Sequence, residues 1–167
     1  DGDAGYEIGI HIADVTRYIQ QGGALDLEAR HRCYTTYLPH KQVPIIPEVL
    51  GQHECSLHAF QDRYTLSCII WWKNEQVIES RFVSCKICSK GALTYDDVDA
   101  GNIKDVMLQK DIQLLSELMG VEGDSHRLVE KLMLLANTEA AQFMMTQCGG
   151  GLLRKHDHVK KNICSCP

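Results

Sequence analysis

A carboxylate at the end of a predicted strand is the first candidate for chemistry in this sequence. Residues 5–13 alternate strictly between apolar and small or polar side chains, which predicts a half-buried strand that delivers Asp14 at its end. Gly9 and Ala13 share one face of this strand and leave room for another group to approach the backbone. An Asp in this place suits the wall of a site, but such a residue also commonly caps a turn or helix. Both interpretations of Asp14 stay open.

Two further polar residues interrupt the longest predicted helix. Glu130 and Asn137 are seven residues apart, nearly two helical turns, and therefore lie on the same face. This face is either part of a site or simply solvated.

Two tyrosines have a structural interpretation from their position alone. Tyr37 precedes Leu38-Pro39, where it suits a packed side chain that holds a bend, and Tyr95 suits the start of a helix.

The elements that must position these side chains indicate an α+β fold. Hydrophobic periodicity predicts a mostly antiparallel sheet covered by helices. Asp124 or Ser125 is the predicted cap of the last helix, Gly120 the predicted end of the helix before it, and Lys73-Asn-Glu-Gln76 the turn of a hairpin. The predicted strands cover residues 5–13, 63–72 and 77–88, and the predicted helices cover residues 24–33, 103–119 and 125–147.

Composition and charge limit the classes of protein to be considered. The 167 residues are 44% hydrophobic and 23% charged, which is typical of one globular domain. No apolar run is long enough for a membrane span, and we expect no membrane partner. The net charge of −5 argues against a free-standing nucleic-acid binder, since phosphate contacts need a basic surface.

The eight cysteines do not form a convincing disulfide or zinc pattern. Cys85 and Cys88 are three residues apart within a predicted strand, so their sulfur atoms lie on opposite faces. Cys33, Cys55, Cys68 and Cys148 have apolar or helical surroundings and are interpreted as small hydrophobic residues. Cys164 and Cys166 near His156 and His158 form only a weak metal motif. We therefore assign no metal ligands and expect an intracellular, reducing compartment, whether cytoplasm, nucleus or organelle.

Several motifs in a fixed order resemble one known family. They are Gly9-Ile-His-Ile-Ala-Asp-Val15, Leu25-Asp-Leu-Glu-Ala-Arg30, Tyr37-Leu-Pro39, Cys55-Ser-Leu57, Ser89-Lys90 with Leu93-Thr-Tyr-Asp96, His126-Arg-Leu-Val-Glu130 with Leu134-Leu-Ala-Asn137, and Leu152-Leu-Arg-Lys-His156. In this order they resemble the catalytic (RNB) domain of ribonuclease II and ribonuclease R, a family that includes the catalytic subunit of the exosome. The resemblance predicts a partial RNB domain over residues 1–156 and a tail of unrecognised pattern over residues 157–167.

The resemblance implies an activity and a set of substrate-binding residues. Members of the family hydrolyse single-stranded RNA processively from its 3′ end, with Mg²⁺, to nucleoside 5′-monophosphates. Tyr37 matches the tyrosine that stacks on the terminal nucleotide, and Tyr95 and Glu130 match positions that contact the sugar-phosphate and favour RNA over DNA. Asp14 and Arg32 match motif positions from which we expect indirect support, and Asn137 is placed in the same supporting group.

Four departures from the family pattern limit what this chain can do alone. The family's Asp-x-Asp-Asp-Ala type string belongs on a strand ahead of Asp1, so no catalytic residue is assigned here, and no Mg²⁺ is expected to bind this chain by itself. The interval from Tyr95 to Glu130 is short, and the rear half of the domain, with a catalytic arginine, is missing. Lys131 occupies a position that is commonly acidic. The first residues resemble a hairpin turn without its leading strand, and we expect the chain to be a piece of a longer protein.

Two hypotheses for the function follow. The first is a piece of a Mg²⁺-dependent 3′→5′ exoribonuclease that is inactive by itself. The second is a degenerate, catalytically inactive RNB-like scaffold subunit of a larger assembly, in which protein partners cover the exposed sheet edge and apolar surface.

Overall fold

The computed structural model describes residues 5–151. In chain order the elements are β1 (Tyr6–Ala13), a 3₁₀ helix (Val15–Arg17), α1 (Ala24–Arg32), β2 (Thr36–Leu38), β3 (Lys41–Val43), a π-helix (Val49–Glu54), β4 (Asp62–Lys73), β5 (Gln76–Cys88), α2 (Tyr95–Asp99), α3 (Val106–Met119) and α4 (Ser125–Gln147). No helix in this part of the chain combines the length and the apolar character that a membrane span requires.

The main sheet is antiparallel, with the strand order β1-β4-β5. The hairpin between β4 and β5 turns at Asn74 and Glu75, whose φ angles of 53° and 59° are both left-handed. Two consecutive left-handed residues match the right-handed twist of the flanking strands, which is why this turn type is favoured in two-residue hairpins. The predicted α+β fold and the positions of its three strands are thus confirmed.

The core lies between one face of this sheet and the helices α3 and α4. Ile8, Cys68 and Ile70 supply the buried side chains of the sheet. The helical side contributes Met119, Val121, Leu128 and Ala136. Of the two neighbouring tryptophans, Trp72 packs against this core whereas Trp71 is exposed, as expected for side chains on opposite faces of a strand.

Two side-chain contacts fasten α4 across the sheet. The Ser80 hydroxyl donates a hydrogen bond of 2.6 Å to Glu139, and the rings of Phe82 and Phe143 lie 5.4 Å apart. Glu139 is buried, so this hydrogen bond satisfies a carboxylate that would otherwise be costly to remove from water. The long helix therefore keeps a fixed position over β5.

Capping residues set the ends of the two long helices. Asp124 begins α4 by accepting a hydrogen bond from the backbone N–H of Arg127, and Gly120 ends α3 in the left-handed conformation. The predicted start of α3 at residue 103 is wrong: Asp105 accepts hydrogen bonds from the N–H groups of Met107 and Leu108, so the helix begins at Val106.

Some local features differ from the sequence-based expectations. The segment after Leu38 forms a second short strand, β3, which pairs with β2. Helix α1 ends at Arg32, one residue earlier than predicted, because Cys33 is left-handed with φ 63°. Of the four cysteines interpreted as small hydrophobic residues, Cys55 and Cys68 are buried, whereas Cys33 and Cys148 are exposed. The motif at residues 152–156 and the boundary at residue 156 lie outside the described residues.

Candidate functional site

The start of α4 brings Tyr95 and His126 into direct contact. Their rings stack with centroids 3.7 Å apart and planes inclined by 20°. Tyr95 is the first residue of α2, behind the capping residue Thr94, and His126 is the second residue of α4. The stack therefore joins two helices whose residues are 31 positions apart in the sequence.

Hydrogen bonds from Ser125 hold these two helices together at the stack. Its backbone N–H donates to the Asp99 carboxylate over 2.8 Å, and its hydroxyl donates to the Tyr95 carbonyl over 3.4 Å. The hydrogen bonds from Ser125 lower the pKa of Asp99, and nearby His126 acts in the same direction. Asp99 thus stays ionised where it fixes α2 to the first turn of α4.

Glu130 and Asn137 continue from His126 along one side of α4. At 100° per residue, positions 126, 130 and 137 fall within an arc of about 40°, so they form one stripe. Both Glu130 and Asn137 are exposed, and Tyr95 retains 42% of its surface exposed. The structure therefore places Tyr95 against His126, which belongs to the same stripe of α4 as Glu130 and lies one turn before it.

Tyr37 lies on a different element and is the most open of the candidate residues. It is in the middle of β2, opposite Gln42 of β3, with 77% of its side chain exposed. Within residues 5–151 we find no hydrogen bond or ring contact that joins Tyr37 to Tyr95 or Glu130. The β2–β3 hairpin thus presents a separate aromatic ring to solvent.

Arg32 fastens this hairpin to α1. Its guanidinium donates to the Glu28 carboxylate over 2.8 Å and to the Pro44 carbonyl over 2.7 Å. Thr35 adds a second link by accepting a hydrogen bond from the N–H of Ile45. Arg32 consequently supports the segment that carries Tyr37.

Asp14 is buried and caps the 3₁₀ helix. One of its carboxylate oxygens accepts hydrogen bonds from the Thr16 N–H (3.1 Å) and hydroxyl (2.5 Å), and the other accepts a bond from Ser84 and lies 3.7 Å from Arg17. The Thr16 hydroxyl makes the largest contribution to lowering the Asp14 pKa, against the opposing effect of burial. Of the two interpretations of Asp14, the structure supports capping.

The residues present do not fit the Mg²⁺ that the resemblance implies. Mg²⁺ takes oxygen ligands in near-octahedral geometry, usually including one or two carboxylates. Both carboxylate oxygens of Asp14 are engaged by internal donors. Within the described part of the chain, no group of three or more His, Cys, Asp or Glu residues could hold a metal ion. Residues 5–151 therefore show no cluster of carboxylates that suits Mg²⁺.

A polar chain on the second face of the sheet was not predicted as a unit. His11 Nδ1 lies 2.7 Å from the Ser67 hydroxyl, which lies 3.0 Å from the Cys85 sulfur, and Thr65 contacts both Ser67 and Cys85. Hydrogen bonds from Ser67 and Thr65 lower the pKa of the Cys85 thiol. Alternation alone places these residues on one face, but only the strand register shows that they meet.

A cavity of about 300 Å³ lies between α2, α3 and the start of α4. Its polar lining is mainly acidic, with Asp99, Glu117, Glu122 and Asp124 among the lining residues. Such a lining repels phosphate, so this cavity does not suit an RNA backbone.

Comparison with known proteins identifies the class of protein that this fold and these residues define. Residues 1–121 match the family model described as RNB domain. The chain belongs to the RNB family.

Individual relatives carry the names of exoribonucleases. The chain is 39% identical over 106 residues to human "Exosome complex exonuclease RRP44", covering 59% of this chain and 11% of that protein. It is 29% identical over 197 aligned positions to "Exoribonuclease 2" of Aeromonas hydrophila, covering 92% of this chain and 29% of that protein. The chain thus spans well under a third of these relatives' length.

The alignment to Exoribonuclease 2 is longer than the chain itself. It has 197 positions, whereas 92% of 167 residues is about 154 residues, so about 43 positions are gaps in this chain.

Solved structures agree with the fold. "Mycoplasma genitalium RNase R in complex with ribose methylated single-stranded RNA" matches with a TM-score of 0.74 and 25% identity over 86% of this chain and 30% of that one. The Dss1 exoribonuclease mutant from Candida glabrata has a TM-score of 0.76 at 19% identity, covering 87% of this chain and 27% of that one. At that identity, the likeness to Dss1 concerns the fold alone.

Proposed function

We propose that this chain is the central piece of an exoribonuclease that degrades single-stranded RNA processively from its 3′ end to nucleoside 5′-monophosphates. The observation that carries the proposal is the RNB match over residues 1–121. It is supported by relatives named as exonucleases and by a structural neighbour whose title describes single-stranded RNA. The proposed contribution of this chain is RNA binding.

Tyr95 and Glu130 are the proposed contacts to the sugar-phosphate. Both are accessible, and the Tyr95 hydroxyl and the Glu130 carboxylate are groups that can hydrogen-bond a ribose hydroxyl. A 2′-hydroxyl is what distinguishes RNA from DNA at a given contact. Tyr95 and Glu130 therefore suit one side of a binding site that favours RNA over DNA. Asn137 lies further along the same stripe of α4.

Tyr37 is the proposed stacking residue for the terminal base. Its ring is 77% exposed on a hairpin that Arg32 fastens, and an exposed, supported ring stacks on any base. Stacking compensates in part for the net charge of −5, which weakens the electrostatic attraction of phosphates.

Hydrolysis is assigned to the longer protein. Cleavage of a phosphodiester requires an activated water and charge stabilisation, which carboxylate-bound divalent metal commonly supplies. The aspartates expected ahead of Asp1 and the rear half of the domain are not in this sequence. In the longer protein, we propose that Mg²⁺ binds at those aspartates. We also propose that the longer protein works in a reducing intracellular compartment, with protein partners on its uncovered surfaces.

The first experiment measures binding of a short fluorescent single-stranded RNA in Mg²⁺ at low salt. Tyr37→Ala should weaken binding about 5- to 150-fold, the equivalent of one lost base stack of about 1–3 kcal/mol. Tyr34→Ala is the matched control, because Tyr34 is 68% exposed three residues earlier and matches no family motif position. Equal loss in both variants, or unchanged binding in Tyr37→Ala, would contradict the assignment of Tyr37.

The same RNA serves for a hydrolysis assay. With Mg²⁺ present, the chain alone should leave the RNA intact over hours. Trimming that depends on Mg²⁺ and stops with a chelator would overturn the view that the catalytic carboxylates lie outside this chain.

A second candidate function, the inactive scaffold, rests on exposed apolar surface. Ile12 and Leu66 are cross-strand neighbours on the main sheet, and they remain 51% and 45% exposed. Adjacent exposed apolar side chains of this kind are typical of surfaces that another segment or partner covers. Yeast Ssd1, whose title calls it a pseudonuclease, has the same fold with a TM-score of 0.67, but its 17% identity extends the comparison no further than the fold.

The scaffold hypothesis makes a separate prediction about association. If the chain is monomeric by sedimentation, soluble and cooperative in unfolding, this hypothesis loses its main support. RNA binding that depends on Tyr37 would favour the exoribonuclease hypothesis instead.

A further inference from the structure

We propose that His126 is a positioning residue for RNA recognition, because it holds the Tyr95 ring in the orientation that aims the phenol toward the side of α4 carrying Glu130. The inference rests on the proposed function and deepens it. It assigns a role to a residue that the sequence analysis did not single out.

The stack is unusually close for two aromatic side chains. Ring centroids in aromatic pairs commonly lie about 4.5–7 Å apart, whereas Tyr95 and His126 are separated by 3.7 Å. No base fits between rings at this distance. A substrate can therefore meet only the opposite face of Tyr95 and its hydroxyl edge, so that Tyr95 acts as a contact to the sugar-phosphate and not as an intercalating platform.

The backbone of both residues is fixed independently of the stack. Ser125 bonds the Asp99 carboxylate and the Tyr95 carbonyl, so α2 and the first turn of α4 stay together even if the ring of residue 126 is lost. What the imidazole alone controls is the rotation of the Tyr95 side chain. A change at His126 should therefore alter the direction of the Tyr95 hydroxyl more than the stability of the fold.

Helix geometry connects this orientation to Glu130. His126 and Glu130 are four residues apart on α4, so their Cβ atoms are neighbours at about 5–6 Å. The Tyr95 ring packed on His126 therefore lies at the first turn of α4, one turn before Glu130 on the same stripe. With the ring held there, one ribose can be contacted by the phenol and the carboxylate together.

The charged groups next to the stack are acidic. Asp99, whose pKa is lowered by hydrogen bonds from Ser125 and by His126, lies on the α2 side, and Glu130 lies one turn along α4. Both neighbours are acidic, so the immediate surroundings of the stack do not form a phosphate-binding patch. His126 is expected to act through Tyr95 and not through its own contact with phosphate.

The test compares binding of a single-stranded RNA and the same sequence of single-stranded DNA to the unmodified chain and four variants. His126→Leu and His126→Gln remove the ring and should reduce the RNA-to-DNA affinity ratio about 2- to 12-fold, the equivalent of one aromatic pair. His126→Phe restores a planar ring and should keep the ratio near that of the unmodified chain. His31→Leu is the control for loss of an exposed helical imidazole, here on α1.

A double variant separates positioning from general damage. Because His126 acts through Tyr95, adding His126→Leu to Tyr95→Ala should lower the affinity ratio no further than Tyr95→Ala alone. Thermal unfolding of each variant checks folding, and His126→Gln provides the ring-free variant if His126→Leu unfolds.

The outcomes distinguish this inference from the function on which it rests. If the unmodified chain binds no RNA, the proposed function fails, and the inference fails with it. If the chain prefers RNA and the ratio survives loss of the ring, or if RNA and DNA binding weaken equally, the proposed function stands and the role of His126 is wrong.

Discussion

At the scale of single residues, one position in the sequence can fit two roles, and only the contacts of the side chain show which role applies. Asp14 is the clearest example, since its position after a strand suited both a site wall and a cap. In the structure its two oxygens accept bonds from Thr16 and Ser84 and face Arg17. Because this carboxylate accepts hydrogen bonds from several groups of the same chain, its role is to stabilise the turn after β1.

This role of Asp14 predicts a pH-dependent stability. Its pKa lies below the ordinary value of 3.8 in the folded state, so its contribution is fully present above that value and is lost as pH falls through the folded-state pKa. Asp14→Asn should lower the free energy of unfolding at pH 7 by about 0.5–1.5 kcal/mol, because the amide loses the charge that faces Arg17 and one of the two oxygens that accept hydrogen bonds. Urea unfolding at pH 7 and at successively lower pH measures the difference, which should shrink in acid.

A matched variant isolates the cause of this pH dependence. Thr16→Val removes the hydroxyl that contributes most to the lowered pKa of Asp14 and should reproduce part of the loss at pH 7. A difference between Asp14→Asn and the unmodified chain that stays constant across the pH range would contradict the assignment.

At the scale of elements, the ends of helices explain a departure from the family pattern. The resemblance to the RNB domain implies an acidic residue at the position of Lys131. Its ammonium donates a 2.6 Å hydrogen bond to the carbonyl of Met119, the last residue of α3. A cation at this end complements the helix dipole and satisfies a carbonyl that has no partner within the helix. The lysine therefore connects α4 to the end of α3.

Removing this cap should weaken the packing of α3 on α4. Lys131→Met should lower the free energy of unfolding by about 0.5–1.5 kcal/mol, and Lys131→Glu by more, because it places negative charge at the helix C-terminus. Urea denaturation measures both. Lys110→Met on the exposed surface of α3 is the control and should change the stability little. Equal effects at both positions would argue against the cap.

At the scale of the whole molecule, one core between the sheet and the helices holds α4 and its polar stripe in place. Ile70 is fully buried at the centre of β4, next to Ile8 of β1 and opposite Ser80 of β5. The Ser80–Glu139 bond and the Phe82–Phe143 contact then fix α4 over this core. The orientation of the stripe with His126 and Glu130 depends on this packing.

Truncation at the centre of the core should therefore affect the whole domain. Ile70→Ala should lower the free energy of unfolding by about 2–5 kcal/mol, since a cavity replaces a buried side chain. Ile78→Ala is the control, because Ile78 lies on β5 with 57% of its surface exposed. Both are measured by urea denaturation followed by circular dichroism. A similar small loss for both would mean that this core does not carry the stability of the chain.

The sequence alone was sufficient where the signal is local. The alternation of side chains predicted three strands, and the residues around Asn74 and Glu75 predicted the hairpin between β4 and β5. Asp124 and Gly120 marked the ends of helices. Each of these features depends on side chains within a few positions. The short strand β3, the π-helix and the start of α3 were missed or misplaced, since elements of a few residues carry too little periodicity. The family was also recognisable, because its motifs are read from residue identity and order.

Only the tertiary structure decided which of these residues meet. Tyr95 and His126 stack across 31 positions, Lys131 reaches the end of the preceding helix, and His11, Ser67 and Cys85 join across three strands. Such contacts depend on strand register and on how helices pack, which the local pattern of side chains does not encode. The sequence therefore determined the elements and the family, whereas packing over a shared core determined that Asp14 is a cap and that Tyr95 packs against the stripe of α4 that carries Glu130.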